Sequence, residues 1–239
     1  MSKRIWLYWH QGFEHAPPII EKCISSWRSS NSDWKISTLD WSSVRTIIDV
    51  TDIETIYRSR SINLAGVSDL IRLALISKYG GLWIDATVLA LKPLEQWLSM
   101  DQSFFAFSDP GKDRLLSTWF LLGKEDSIIS KVWYTSSLDY WLKRSWSNRP
   151  YYWCHYLFNR LYSENEEIRK EWNRRQKISA DGPHYFVPYR QKFFEPMTRS
   201  RIKEFEEADL PLVKLTYKCL ANGYPQDSMI DYLLNQRGR

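Results

Sequence analysis

The chain has 239 residues and a net charge of +5, from 33 basic and 28 acidic side chains, and 44% of its residues are hydrophobic. This length suits one domain or a tight pair of subdomains, and the composition excludes a largely disordered protein or a coiled coil. Tryptophans number 13 and outnumber the 9 glycines. Aromatic rings at this density build a deep core, and they also stack on bases and on the apolar faces of sugars.

Charge, cysteines and hydropathy set the expected partners and compartment. A positive net charge fits an anionic partner (a nucleotide, a phospholipid surface or nucleic acid) or a mildly basic soluble enzyme. The cysteines number 3, without a CxxC pair, so we expect no disulfide framework and no zinc site, and a reducing compartment. No stretch reads as a signal peptide or reaches the roughly 18 apolar residues of a membrane span, which predicts a cytoplasmic protein.

The N-terminal segment predicts a strand–helix–strand unit. Residues 5–9 are apolar and aromatic, as in a buried strand. Pro17 and Pro18 open a helix whose apolar side chains recur at helical spacing as far as Trp27, and residues 34–39 form a second strand. Residues 44–60 are predicted to be a partly exposed helix.

The following segment predicts a buried helix and a strand that ends in a carboxylate. Ser68 is the expected cap of a helix that is apolar nearly all round, and Gly80 and Gly81 stop it. Residues 82–84 then form a strand that runs into Asp85. Further strands are expected at 88–91, 104–107 and 119–122, and helices from 127, at 151–161 and at 164–176. This order indicates one α/β domain with a helical C-terminal part.

Three charged residues in this segment are candidates for chemistry. Asp69 and Arg72 are three residues apart, so they share one face of an otherwise apolar helix, where an unpaired charge is expensive. They form either a structural ion pair or part of a polar cleft. Asp85 lies at the carboxyl end of a buried strand, where open α/β sheets place their ligand sites.

The motifs around these residues resemble those of the capsular polysaccharide synthesis glycosyltransferases. That family is related to the wider group of sugar transferases with a DXD motif, which includes the glucosyltransferase domains of large clostridial toxins. The resemblance covers residues 4–94, and the spacing between the motifs matches as well. Its motifs are Ser68-Asp69-x-x-Arg72, Tyr79-Gly80-Gly81, Trp83-Ile84-Asp85-Ala86-Thr87 and, at the start, Ile5-Trp6 through Tyr8-Trp9-His10-Gln11-Gly12.

The resemblance implies a GT-A-like (Rossmann-like) fold that binds a nucleotide-sugar donor. A single GT-A-type domain would cover 1–239, with a nucleotide-sugar-binding α/β part over 1–125 and a mainly helical acceptor-side part over 126–239. Asp69 and Arg72 would hold hydroxyls of the donor sugar, and Asp85 would contact ribose, sugar or metal. These three are the implied catalytic residues. The implied substrate-binding set adds Trp9, His10, Gln11, Gly12 and Gly81.

The chain departs from the wider group at Thr87, where the second aspartate of the motif usually stands. A divalent ion that bridges diphosphate oxygens prefers charged oxygen ligands, and a hydroxyl is a weaker one. A Mn²⁺ or Mg²⁺ cofactor is therefore expected to be held weakly, by Asp85 and Thr87, with His184 or Asp181 as a further ligand or phosphate contact. A loop histidine without either role is the alternative.

For each of four other residues, the sequence leaves two alternative roles open. Lys214 and Lys218 are four apart and face the leaving diphosphate, or they are two surface lysines. His155 contacts acceptor or phosphate, or it is a hydrogen-bonded core histidine. Trp9 stacks on a base or packs in the core.

The resulting prediction is a retaining glycosyltransferase that extends a capsular or other surface polysaccharide. We expect a UDP-sugar donor, a saccharide or lipid-linked oligosaccharide acceptor, no nucleic acid, and weak, salt-sensitive attachment to the inner face of the cell membrane. A basic, aromatic-rich nucleic-acid-binding protein is one alternative, with Arg144-Ser145-Trp146 and Arg174-Arg175 as its local support. A non-catalytic protein with a transferase fold is another, because of Thr87.

Overall fold

A computed structural model describes residues 2–59, 62–143, 150–184, 190–218 and 223–236. The chain divides into two compact units that alternate along the sequence. The first unit comprises Met1–His15, Asp33–Asp85 and Ser99–Ser179, and the second comprises Ala16–Ser32, Ala86–Leu98 and Ala180–Arg239. Each unit is described by itself.

The first unit contains five strands and six helices among its described residues. The strands are β1 (Arg4–Tyr8), β2 (Lys35–Leu39), β3 (Gly81–Ile84), β5 (Phe104–Gly111) and β6 (Arg114–Gly123). The helices are α2 (Trp41–Val44), α3 (Thr51–Ser59), α4 (Leu64–Tyr79), α5 (Ile128–Leu142), α6 (Trp153–Glu164) and α7 (Glu166–Arg174). A 3₁₀ turn spans Phe13–His15.

These strands form one mixed sheet in the order β2-β1-β3-β6-β5. Strand β1 is parallel to both β2 and β3, and Trp6 lies opposite Ser37 on one side and Trp83 on the other. Strand β6 is antiparallel to β3 and to β5. The predicted α/β class and the first two strands are confirmed, and the three parallel strands end at the same edge of the sheet.

Helix α4 is the central helix of the first unit, and its buried side chains include Leu70, Leu73 and Ile76, each 0% exposed. The predicted start at Ser68 is wrong. The helix begins at Leu64 and is capped by Asn63, whose Oδ1 accepts a hydrogen bond from the Gly66 backbone N–H at 2.9 Å. Asp69 and Arg72 therefore lie well inside the helix, on a face fixed by regular hydrogen bonds.

Gly80 ends α4, as predicted. Its φ is +60°, and a Cβ there would lie 2.8 Å from the Gly123 backbone oxygen, so a side chain would be strained and would clash with β6. The Trp6 indole N–H also donates to the Gly80 oxygen at 2.9 Å. The turn therefore fixes where β3 starts and, four residues later, where Asp85 lies.

The predicted helix over 44–60 is wrong in its extent. The structure forms α2 and α3 separately, and Arg60 lies outside the described residues. Asp40 caps α2, where its side chain accepts from the Ser43 N–H at 2.7 Å, and Asp49 Oδ1 accepts from the Thr51 N–H at 2.9 Å at the start of α3. Helix α2 therefore begins before the predicted segment and ends at Val44, and Asp49 starts a new helix within the segment.

The second unit consists of short elements. They are α1 (Pro18–Ser30), β4 (Val88–Ala90), α8 (Arg190–Phe194), α9 (Arg199–Glu207), β7 (Leu212–Lys214), α10 (Met229–Asp231), a 3₁₀ turn at Leu94–Gln96 and a π-helical segment at Tyr232–Gln236. Strand β7 pairs antiparallel with β4, with Lys214 opposite Val88. The helical character predicted for the C-terminal part of the chain is confirmed by α5 to α10, but β7 was not predicted, because three residues are too short to show a period.

Two of the three cysteines can be described. Cys23 and Cys154 are buried and form no disulfide, and Cys219 lies outside the described residues. Burial raises the pKa of the Cys23 thiol to about 12, so it stays protonated. Both act as small apolar core residues, and the reducing compartment stays a prediction.

Candidate active site

The candidate site of the first unit lies where its three parallel strands end. Strand β1 continues into Trp9 and His10, β2 into Asp40 and Trp41, and β3 into Asp85. Open α/β sheets bind ligands at this carboxyl edge, because the loops that follow the strands converge there. The parallel pairing of β1 with β2 and β3 therefore brings together residues that are up to about 75 positions apart in the sequence.

The guanidinium of Arg72 bridges two carboxylates at this edge. Its Nη1 lies 2.6 Å from Asp69 Oδ1, and its Nη2 lies 3.0 Å from Asp85 Oδ1. The rigid, planar fork of an arginine suits this bridge, which a single ammonium cannot reproduce. The three residues, which we call the Arg72 cluster, are thus brought together as an ion-paired group, and their role in ligand binding stays a prediction.

The Arg72 cluster is largely buried at Arg72 and Asp69 and partly exposed to solvent at Asp85. The Arg72 and Asp69 side chains are 6% and 13% exposed, whereas that of Asp85 is 27% exposed. The Thr118 side chain hydrogen-bonds the Asp69 carboxylate. The Trp83 indole N–H donates to Asp85 Oδ1 at 3.1 Å. Within the described part of the chain Arg72 Nε has no hydrogen-bond partner.

The electrostatics of the cluster follow from its burial. Burial, followed by the negative charge of Asp85, raises the pKa of Asp69 to about 6, although Arg72 opposes the shift. Burial lowers the pKa of Arg72, but the two carboxylates outweigh it and leave that pKa above its ordinary value. With one cation and two carboxylates, the ionised cluster carries a net charge of −1.

The raised pKa of Asp69 predicts a pH dependence of stability. Between its unfolded value of 3.8 and its folded value of about 6, the folded protein keeps a proton that the unfolded chain has lost. The free energy of unfolding should therefore fall as the pH rises through this window, by about 3 kcal/mol in all and by about 2 kcal/mol between pH 4.5 and 7.5. Denaturant titrations at pH 4.5 and 7.5 measure it, and Asp69→Asn should lack this part of the slope. An equal fall in the free energy of unfolding between the two pH values in both proteins would contradict this prediction.

An aromatic cluster lies beside the Arg72 cluster. The His10 ring stacks on Trp41 with centroids 5.4 Å apart, and the Tyr57 ring meets His10 edge-on at 5.7 Å. Tyr8 links the two clusters, since its hydroxyl is 2.8 Å from His10 Nδ1 and its ring centroid is 6.5 Å from that of Trp83. Tyr57 is 37% exposed, so the cluster, comprising His10, Trp41 and Tyr57, presents aromatic surface to solvent.

The other residues that were predicted to bind substrate at this edge of the sheet differ in their exposure and in their distance from the Arg72 cluster. Trp9 is half-buried, and its backbone N–H donates to the Leu39 oxygen at 2.9 Å. Gln11 is exposed, and Gly12 closes the loop with a φ of +91°. Gly81 is at the amino end of β3, the opposite end of that strand from Asp85, so it is not brought to the Arg72 cluster.

Two residues of the aromatic cluster were not identified from the sequence. Trp41 lies two residues after the end of the predicted second strand. That position placed it at the carboxyl edge of the sheet and could have identified it as a candidate site residue. Tyr57 lies on α3, and no local pattern distinguishes it from an ordinary surface tyrosine. Its contact with His10 arises only because α3 approaches the loop that follows β1.

His155 is a neutral histidine in the first unit. Burial, and then the positive charges of Arg114 and Arg72, lower its pKa to about 3. Its Nδ1 is buried without a hydrogen-bond partner among the described residues, and its ring meets that of Tyr152 edge-on at 5.4 Å. An uncharged imidazole gives no electrostatic attraction to a phosphate, so the geometry supports a packing role.

The remaining predicted residues belong to the second unit. Thr87 is 5% exposed, and its hydroxyl accepts a hydrogen bond from Lys214 Nζ. Backbone pairing holds this contact, because the Leu215 N–H donates to the Thr87 oxygen at 2.8 Å. Lys218 is exposed, His184 is half-buried, and Asp181 is exposed on the same turn.

The surroundings of Thr87 do not fit a divalent-cation ligand. The hydroxyl oxygen that would face the metal already accepts from an ammonium, whose positive charge repels a second cation. Throughout the described ranges, no group of three or more His, Cys, Asp or Glu side chains is arranged to hold a metal ion. The assignment of Asp85, Thr87 and His184 as metal ligands stays a prediction, and no step below depends on it.

This arrangement predicts weak metal binding by the protein alone. Titration of Mn²⁺ into the protein without nucleotide should show no saturable binding in calorimetry. Lys214→Met should strengthen Mn²⁺ binding, because it removes the ammonium beside the Thr87 hydroxyl. Lys92→Met is the matched control, since Lys92 pairs with Asp209 at 2.6 Å in the same unit. Tight Mn²⁺ binding by the unchanged protein would contradict this account of Thr87.

Comparisons with known proteins agree with the resemblance seen in the motifs. A sequence profile described as "Capsular polysaccharide synthesis protein" matches residues 1–233. The O-glycosyltransferase PaGT of Phomopsis amygdali is 24% identical over 163 residues, 60% of this chain and 40% of that protein. The O-glycosyltransferase braB of Annulohypoxylon truncatum is 26% identical over 152 residues, 55% of this chain and 36% of that protein.

The fold is also similar to a solved structure. The apo form of the glycosyltransferase GlyE of Streptococcus pneumoniae TIGR4 aligns with a TM-score of 0.52 and 13% identity, over 91% of this chain and 55% of that chain. This similarity concerns the fold and supports the predicted GT-A-like architecture. The chain spans about two fifths of the length of the curated relatives it matches.

Proposed function

The chain belongs to the capsular polysaccharide synthesis protein family, and on that premise we propose that it transfers a sugar from a nucleotide-sugar donor to a saccharide acceptor. The observation that carries the proposal is the bridge from Arg72 to Asp69 and Asp85 at the carboxyl edge of the sheet. The curated relatives are named glycosyltransferases, which is consistent with this activity.

The Arg72 cluster has the groups needed to orient a sugar. Hydroxyl groups donate to carboxylates and accept from a guanidinium, and hydrogen bonds to charged partners are the stronger ones. Asp85 is the most exposed member of the cluster, at 27%, so it is placed to accept from a ligand hydroxyl. Asp69, which is hydrogen-bonded by the Thr118 side chain, pairs with Arg72 on the buried side, and this pairing fixes the geometry before the donor arrives.

The aromatic cluster is the proposed base-binding surface. A nucleobase stacks on any aromatic face, with about 1–3 kcal/mol for each stacked base. Trp41 and Tyr57 provide such faces at the same edge of the sheet as Asp85. The choice of UDP rests on the resemblance in sequence, since stacking itself does not distinguish the bases.

Several finer features are part of the proposal and rest on the family resemblance. They are a role in capsular or other surface polysaccharide synthesis, retention of anomeric configuration, a lipid-linked acceptor, and Lys214 and Lys218 as phosphate contacts within the second unit. Weak attachment to an anionic membrane surface rests on the net charge of +5. Among the residues that the structure describes, no helix has both the length and the apolar character to cross a membrane.

Calorimetry with UDP, GDP and CDP tests the proposal. We expect saturable binding of one nucleoside diphosphate, and weaker binding by Trp41→Ala, which removes the stacked ring. The matched control is Trp34→Ala, because Trp34 is a buried tryptophan of the same unit outside the aromatic cluster. Failure of all three nucleotides to bind the folded protein would contradict the proposal.

The nucleic-acid-binding alternative loses part of its local support in the structure. Arg175 is 6% exposed and packs over the Trp172 ring at 3.1 Å, so it is not on an exposed basic surface. Residues 144–146 lie outside the described residues. Binding of arbitrary oligonucleotides that weakens steeply with salt would favour that alternative over a transferase.

A further inference from the structure

We propose that Tyr151 and Tyr152 form an aromatic platform that binds the saccharide acceptor beside the Arg72 cluster. The inference rests on the proposed transferase function and assigns a second ligand surface to residues outside the Arg72 cluster and the aromatic cluster. Both tyrosines belong to the first unit, directly before α6.

The exposure of these rings is the first observation. Tyr151 is 66% exposed and Tyr152 is 37% exposed, whereas the other exposed large hydrophobic side chains that the structure describes lie at 36–37%. The two ring centroids are 5.0 Å apart and the planes meet at 82°. Tyr151 therefore presents most of its ring to solvent while its neighbour supports it from the side.

Neighbouring side chains hold the Tyr152 ring, against which Tyr151 packs, in place. The Arg114 guanidinium lies over the Tyr152 ring, with its central carbon 3.7 Å from the centroid. Arg114 Nε is 3.1 Å from Asp113 Oδ1, and the Tyr156 hydroxyl donates to Asp113 Oδ2 at 2.6 Å. A ring fixed in this way loses little conformational entropy when a ligand binds to it, which is the property that makes tyrosine effective in binding surfaces.

The platform lies close to the Arg72 cluster. Trp153, the next residue, packs against α4, where a Cβ on Gly66 would lie 3.4 Å from the Trp153 indole nitrogen. Helix α4 carries Asp69 and Arg72 in the following turns. Partial burial, and then the negative charge of Asp69, raise the pKa of Tyr151, which is consistent with a position near the cluster.

The chemistry of this surface fits a saccharide. A pyranose ring has an apolar face of C–H groups that packs on an aromatic ring, while its hydroxyls need polar partners at the rim. Tyr151 offers the aromatic face, and Asp85 offers a partly exposed carboxylate nearby. Because the donor sugar is assigned to the cluster itself, the open surface next to it is assigned to the acceptor.

Saturation-transfer NMR with a panel of methyl hexosides and of malto-, cello- and chito-oligosaccharides tests the platform directly. We expect at least one saccharide to bind the unchanged protein and its affinity to fall about tenfold or more in Tyr151→Ala. Tyr151→Phe is the matched control and should keep the affinity within about twofold, because it retains the ring. Tyr152 is left unchanged, since it supports Arg114.

The outcomes separate this inference from the proposed function. Failure of every saccharide to bind, or equal binding by Tyr151→Ala, would overturn the platform whether or not nucleotides bind. Failure of nucleotides alone would instead contradict the transferase function. Loss of nucleotide affinity in Tyr151→Ala, measured by calorimetry, would place the ring at the donor and would also overturn the acceptor assignment.

Discussion

Replacement of Arg72 by methionine is expected to destabilise the folded protein by about 3–5 kcal/mol and to abolish sugar transfer. The substitution leaves the Asp69 and Asp85 carboxylates next to each other without the cation that bridges them. Asp69 is buried and Arg72 lowers its pKa, so without Arg72 its carboxyl takes up a proton at neutral pH, and both this protonation and the lost ion pair reduce stability. Denaturant unfolding at neutral pH measures the stability of the variant.

Arg72→Lys tests whether the cluster needs the planar geometry of the guanidinium or only its positive charge. A lysine keeps the positive charge but cannot offer two N–H groups in one plane, so one of the two carboxylates loses its partner. We expect a smaller loss of stability than in Arg72→Met, with activity still reduced about 100-fold or more. Arg160→Met is the control, because its partner Glu164 is exposed and such pairs contribute roughly 0–1 kcal/mol. Similar stability of Arg72→Met and Arg160→Met would show that the bridge is not formed in solution.

Asp85→Asn is expected to lower activity about 100-fold or more while the protein stays folded. The amide keeps an oxygen that accepts from the Trp83 indole and from Arg72, so the packing at the end of β3 is preserved. It loses the negative charge that strengthens a hydrogen bond to a donor hydroxyl. Steady-state kinetics of transfer and of donor hydrolysis measure the effect.

Two further readouts complete the Asp85 test. Nucleotide binding should persist in Asp85→Asn, because the aromatic cluster is unchanged by the substitution. Asp139→Asn is a matched control, since Asp139 is an aspartate of the same unit that pairs with Lys143 at 2.8 Å outside the Arg72 cluster. Unchanged turnover in Asp85→Asn would show that the charge of Asp85 is not needed for sugar transfer.

The Arg72 cluster was predictable because local rules determine it. Helical spacing puts Asp69 and Arg72 on one face, and a strand ending at Ile84 puts Asp85 at the carboxyl edge. The error in the start of α4 did not change this, because the helical period is the same wherever the helix begins. Asn63 was missed as the cap because Ser68 is an equally good capping residue by type.

The contacts that the sequence did not predict are those set by distant parts of the chain. Lys214 is 127 residues from Thr87, and the contact depends on a three-residue strand that carries no period of its own. The stacking of Trp41 and Tyr57 around His10 depends likewise on how α2 and α3 approach the loop that follows β1. Propensity and spacing describe neighbours along the chain, whereas these contacts arise from tertiary packing.

Release of nucleoside diphosphate from UDP-, GDP- and CDP-sugars by the unchanged protein is the most direct test of the transferase assignment. We predict slow, saturable hydrolysis of donors of one nucleotide class without acceptor, and loss of that hydrolysis in Asp85→Asn. Water would replace the acceptor hydroxyl in this reaction, so no knowledge of the acceptor is needed. Absence of release from every donor by folded protein, or equal release by Asp85→Asn, would contradict the account.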